Sequence, residues 1–150
     1  MSYPQNSTGM TMHPDIAEMR ERLERTASSS GAIAVEGLIL LAGVYAAISP
    51  WVVHFSGQSN ITVNNLIVGI TVGLIGLGLA LAPERMLRLA WVAVPFGVWL
   101  VISPWVVTAT HGARAGIVWN NCWIGGVTAL LGFVAMSLLA GLTVGRRISG

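Results

Sequence analysis

Residues 43–53 read Gly-Val-Tyr-Ala-Ala-Ile-Ser-Pro-Trp-Val-Val, and residues 97–107 read Gly-Val-Trp-Leu-Val-Ile-Ser-Pro-Trp-Val-Val. Eight of these eleven matched positions are identical, and Tyr45 stands opposite Trp99. With two residues inserted in the second copy, the match continues: Asn64 and Asn65 pair with Asn120 and Asn121, Gly69 with Gly125, Gly73 with Ala129, and Gly76 with Gly132. Self-similarity of this kind marks an internal duplication, and a duplicated unit has to be read as one structural module.

Each copy lies in two apolar runs, so the chain carries four, over residues 32–53, 61–81, 89–107 and 121–144. Each is close to the ~20 residues that a helix needs to cross ~30 Å of hydrocarbon. Composition agrees: 54% of the 150 residues are hydrophobic and 9% are charged, against about 25% charged in soluble domains. Half of the charged residues crowd between Asp15 and Arg25, and the remainder cannot cover the surface of a water-soluble globule of this size. Four transmembrane helices are therefore expected, in an all-α membrane protein. Two spans per unit bring both units into the membrane from the same side, which sets a parallel pseudo-twofold axis along the membrane normal.

Arginine orients the chain. Arg20, Arg22, Arg25, Arg85, Arg88, Arg146 and Arg147 fall on the side of the N-terminus, whereas the opposite loops, 54–60 and 108–120, hold only Arg114. The positive-inside rule places both termini in the cytoplasm of a cell (inner) membrane. Residues 1–31 form a polar cytoplasmic segment, with disorder expected over residues 1–9 and a short helix from Pro14. Ile16, Met19 and Leu23 give that helix one narrow apolar stripe, and Glu18–Arg22 and Glu21–Arg25 are acid-before-base pairs four apart. A small-residue linker over 26–31 precedes the first repeat, 32–81, and the second repeat occupies 86–144. Some thirty polar residues ahead of the first apolar run argue against a signal peptide.

Two Ser-Pro-Trp motifs, Ser49-Pro50-Trp51 and Ser103-Pro104-Trp105, close the odd-numbered spans. This pairing resembles the SPW-repeat family of small bacterial integral membrane proteins, and residues 13–25 (HPDIAEMRERLER) resemble the cytoplasmic leader of actinobacterial members. The resemblance covers nearly the whole chain. It implies a four-helix membrane protein and carries over no activity, cofactor or catalytic residue.

The motif residues have a physical reading of their own. Pro50 has no amide proton, so the carbonyl of Ala46 loses its usual donor, and the helix should kink or end there. Ser49 can return a hydroxyl hydrogen bond to the preceding turn, and Trp51 can place its indole at headgroup level. Ser103, Pro104 and Trp105 repeat the argument. Asn64-Asn65 and Asn120-Asn121 open the even-numbered spans and are read as helix caps, or as partners for the carbonyl freed by proline. A polar ligand cluster is the alternative for the asparagines, and a lipid or quinone gripped between the two Trp-lined kinks is the alternative for the motifs. The glycine faces at 69, 73, 76, 125 and 132 are expected to join the two even-numbered spans to each other, with contact to a second copy as the other use.

Little else in the sequence points to chemistry. Cys122 is the single cysteine, so no intrachain disulfide can form. His54, His111 and Cys122 match no metal-ligand spacing, and Glu36, the one acid within the spans, is assigned to the headgroup level and the helix start. No nucleophile and base pair, phosphate-cradling loop or dinucleotide fingerprint is present, and unclustered arginines argue against nucleic acid as a partner. The expected function is that of a non-enzymatic scaffold or accessory subunit in the lipid bilayer, touching a second copy or another membrane protein. A binder or carrier of a small amphiphile is the alternative. Transport would need polar groups at mid-membrane depth, where the spans offer Thr71, Thr128 and Ser137.

Overall fold

The computed structural model describes the backbone of residues 14–81, 87–109 and 112–148, and side chains at 18, 30–81, 89–109 and 112–138. Among the described residues all regular structure is helical: α1 (Pro14–Val52), α2 (Ser59–Leu81), a 3-10 helix over Leu87–Val92 that runs into α3 (Ala93–Val107), and α4 (Ala115–Ile148). Among the described residues four stretches are long and apolar enough to cross a membrane: Ser30–Val52, Ser59–Leu81, Leu89–Val107 and Ala115–Leu138. Their hydrophobic residues occupy every face, as in helices whose outer surface meets lipid rather than water. Ile33, Leu41, Ile67, Leu74, Leu130 and Phe133 all project outward. The chain is thus built as a multi-pass membrane protein.

Contacts divide the chain into Met1–Gly31 and Ala32–Gly150. The expected break over 26–31 does not occur, since α1 is helical throughout Pro14–Val52. No residue from Thr26 to Gly31 is a proline, and glycine or serine weakens a helix by only about 0.5–1 kcal/mol. Glu36 consequently lies well inside a helix instead of at its start, and it is buried. The expected disorder of residues 1–9, the side chains of the 16–23 stripe, the turn at 82–85 and His111 lie outside the described residues.

Within the second unit, glycine sets how closely the helices pair. A methyl group built on Gly43 of α1 would lie 2.2 Å from the backbone nitrogen of Gly73 in α2, and one built on Gly69 would lie 2.3 Å from that of Ala47. Gly76 meets Leu40 in the same way, at 2.4 Å. The second copy repeats the pattern: Gly97 of α3 faces the Ala129 nitrogen at 2.4 Å, Gly125 faces Val101 and Gly132 faces Val94. These glycines therefore join each even-numbered span to the odd-numbered span before it, α1 to α2 and α3 to α4. The expectation that they join the two even spans is wrong. Small residues do permit close backbone approach, but their spacing does not name the partner.

The two pairs share one core, in which Ile39, Ala42 and Ala46 of α1 and Val68, Val72 and Ile75 of α2 pack with Leu100 of α3 and Ile124 of α4. A smaller cluster of Phe55, Ile61 and Ile117 closes the end that carries the Ser-Pro-Trp motifs. Both prolines lie inside helices, and the helices end within the following turn, at Val52 and Val107. After α1 the amide of Phe55 donates to the carbonyl of Pro50 at 2.8 Å, across His54 in the left-handed region at φ 59°. That is the six-to-one bond of a Schellman end, with histidine where glycine is usual.

Candidate functional site: a hydrogen-bonded cluster between the helix pairs

The cluster begins at the prolines. Pro50 leaves the Ala46 carbonyl without a backbone donor, and the Ser49 hydroxyl supplies one at 2.9 Å. In the second copy Pro104 frees the Leu100 carbonyl, and Ser103 donates to it at 3.0 Å. Each serine oxygen then accepts from an asparagine: Asn65 Nδ2 reaches Ser49 Oγ at 3.3 Å, and Asn121 Nδ2 reaches Ser103 Oγ at 3.1 Å. The side chains of Ser49, Ser103, Asn65 and Asn121 are all fully buried.

The two asparagines meet each other. Asn65 Nδ2 donates to Asn121 Oδ1 at 2.8 Å, and Asn121 Nδ2 donates back to Asn65 Oδ1 at 3.1 Å, joining α2 to α4. Their chain neighbours add a donor each, Asn64 Nδ2 to Asn65 Oδ1 at 3.2 Å and Asn120 Nδ2 to Asn121 Oδ1 at 3.1 Å. Two aromatic groups then close the circuit across the helix pairs. Tyr45 of α1 donates its hydroxyl to Asn120 Oδ1 at 3.0 Å, and Trp99 of α3 donates its indole N–H to Asn64 Oδ1 at 2.8 Å. Each cluster bond made by the side chains of Tyr45, Ser49, Asn64 and Asn65 has a counterpart at the positions paired with them by the sequence match.

An amide side chain offers two N–H donors and two carbonyl lone pairs. At Asn65 and at Asn121 all four are taken by protein groups. Among the described residues no buried side-chain nitrogen or oxygen lacks a partner. Asn65 and Asn121 therefore have no donor or acceptor left to offer a ligand; the chemistry of the pair is that of a tie between helices in a medium where an unmade hydrogen bond is expensive. Deeper in the spans, Thr71 and Thr128 donate to the carbonyls four residues back, at 2.8 and 2.7 Å, and Ser137 donates to Val134 at 2.8 Å. These hydroxyls satisfy their own helices.

The ten residues singled out in the sequence thus fall into two groups. Ser49, Pro50, Asn65 and their counterparts Ser103, Pro104 and Asn121 are buried, and Asn64 and Asn120 join them; Trp51 and Trp105 point out of the bundle, 53% and 54% exposed. The serine hydrogen bond follows from the sequence argument. The capping role does not hold: α2 starts at Ser59 and α4 at Ala115, so the asparagines sit inside their helices and bond side chain to side chain. Serine, not asparagine, reaches the freed carbonyl. Tyr45 and Trp99 were not assigned a role in the sequence, although an aromatic residue with a polar atom at matched positions of both copies was the available signal. Among the described residues no three His, Cys, Asp or Glu side chains come together.

The family model for the SPW repeat domain matches residues 33–135. The chain belongs to the SPW repeat family. The match takes in both Ser-Pro-Trp motifs, both asparagine pairs and the two aromatic residues that cross between helix pairs. No curated protein and no solved structure matches the chain. For this SPW repeat protein, the inward serine and proline and the outward tryptophan give the three motif letters separate physical tasks.

Proposed function

We propose that this SPW repeat protein is a non-enzymatic scaffold or accessory subunit of a bacterial inner membrane, built from two tandem two-span repeats about a pseudo-twofold axis along the membrane normal. The observation that carries the reading is the saturation of Asn65 and Asn121. Polar groups buried in a membrane are functional candidates by default because they are costly, and here they are used up in joining the halves. The outer surface of the spans is open to contact with other membrane molecules, and there Trp119, Trp123, Leu130 and Phe133 of α4 project outward.

The arginine distribution supports two cytoplasmic termini, with Arg114 on the far side. Reporter fusions at Gly57 and Arg114 should read as external, and fusions after Arg85 or at the C-terminus as internal; an external C-terminus overturns the orientation. Function is tested by purification in mild detergent with mass spectrometry of co-purifying proteins, lipids and quinones. A stoichiometric membrane protein partner supports the scaffold reading. Retention of one lipid or quinone species that is selectively lost in Trp51→Tyr and Trp105→Tyr, with stability unchanged, replaces it by an amphiphile-binding role.

A further inference from the structure

At the Ser-Pro-Trp end, the chain segments after α1 and α3 line an open cavity of about 510 Å³ that the hydrogen-bonded cluster does not use. Its apolar lining residues are Ile61, which is fully buried in a cluster with Phe55 and Ile117, and Val107, which packs on that cluster. Its polar lining residues include Gln58, Ser59 and Asn60, and the exposed side chain of Arg114 lines it as well. The hydroxyl of Thr108, also in the lining, is already donated to the Pro104 carbonyl. Residues 54–60 and 108–120 contain no aspartate or glutamate, so neither segment supplies a countercharge for the guanidinium.

We propose that this cavity binds a phosphate group, carried by an anionic lipid headgroup. A guanidinium presents a planar fork of donors that matches phosphate oxygens two at a time. The amide end of α2, which opens at Ser59, adds partial positive charge on the same side. The lipid source is favoured over a free anion by the pairing of an arginine with the apolar residues Ile61 and Val107 in one lining. It is favoured also by position, because the cavity lies where two membrane spans end and Trp51 and Trp105 are exposed, the level at which headgroups sit.

The full chain in neutral detergent tests this by its unfolding midpoint during titration with short-chain phosphatidylglycerol, short-chain phosphatidylcholine or inorganic phosphate. Phosphatidylglycerol should stabilise saturably, with an apparent affinity about tenfold or more above that of phosphatidylcholine. Arg114→Gln should weaken it about tenfold, roughly the loss of one charge-assisted pair, and Arg114→Lys should weaken it less. Asn60→Asp, which places a like charge beside the phosphate, should also weaken it and repeats the comparison should Arg114→Gln shift the starting midpoint. Equal responses to the two lipids with no response to inorganic phosphate, or equal responses of wild type and both variants to phosphatidylglycerol, overturn the site. Inorganic phosphate acting with the same Arg114 dependence, without discrimination between lipids, overturns the lipid source and leaves a soluble anion site.

Discussion

Asn65 illustrates how a polar side chain becomes acceptable inside a membrane span: both of its N–H groups and both lone pairs have protein partners. Asn65→Leu would leave Asn121 short of a donor and an acceptor at once. The expected cost is about 1–3 kcal/mol, the range for stranding buried polar groups, since intact hydrogen bonds between membrane helices average only ~0.6 kcal/mol. Asn121→Leu should cost the same, and the double variant should cost clearly less than the two together, because the second substitution removes the group that the first one stranded. Unfolding of the four proteins in detergent checks this, and additive costs would dismiss the reciprocal pair. Serine's partner was legible in the sequence because proline's effect acts at a fixed distance along one helix. Asparagine's partner was not, because it lies on another helix, and spacing along one helix does not say which neighbour its side chain meets.

Glycine acts at the scale of the element. Gly43 and Gly97 have backbone of the neighbouring helix where a methyl group would go, at 2.2 and 2.4 Å, whereas Gly37 and Gly126 have nothing within 4 Å. Gly43→Ala and Gly97→Ala should therefore push α1 from α2 and α3 from α4, at a cost of about 1–3 kcal/mol each. Gly37→Ala and Gly126→Ala should be neutral or stabilising by about 0.5–1 kcal/mol, because alanine favours a helix interior. Midpoints of thermal unfolding separate the two classes, and equal effects at all four positions would remove the close-approach account. The small-residue faces were legible from their spacing, but a helix face points in a direction only once its neighbours are known. In the same way the small residues at 26–31 looked like a linker, although nothing in them prevents hydrogen bonding through that stretch of α1.

The whole molecule is joined across its middle by bonds that run in both directions. Tyr45 of the first half holds Asn120 of the second, and Trp99 of the second holds Asn64 of the first. Each half gives its counterpart the same kinds of group that it accepts. A gene ending at Leu81 would still encode Tyr45, Ser49, Asn64 and Asn65, and two of its products could satisfy one another with Tyr45 on Asn64 and Asn65 on Asn65. Such a product should migrate as a homodimer after cross-linking in membranes, and Asn65→Leu should return it to monomer; a product that is monomeric in both forms would show that the halves are no longer interchangeable. A homodimer would make the join after Leu81 a matter of supply: one reading frame would then deliver two interchangeable halves in a fixed one-to-one ratio, with Tyr45 and Trp99 free to differ at matched positions.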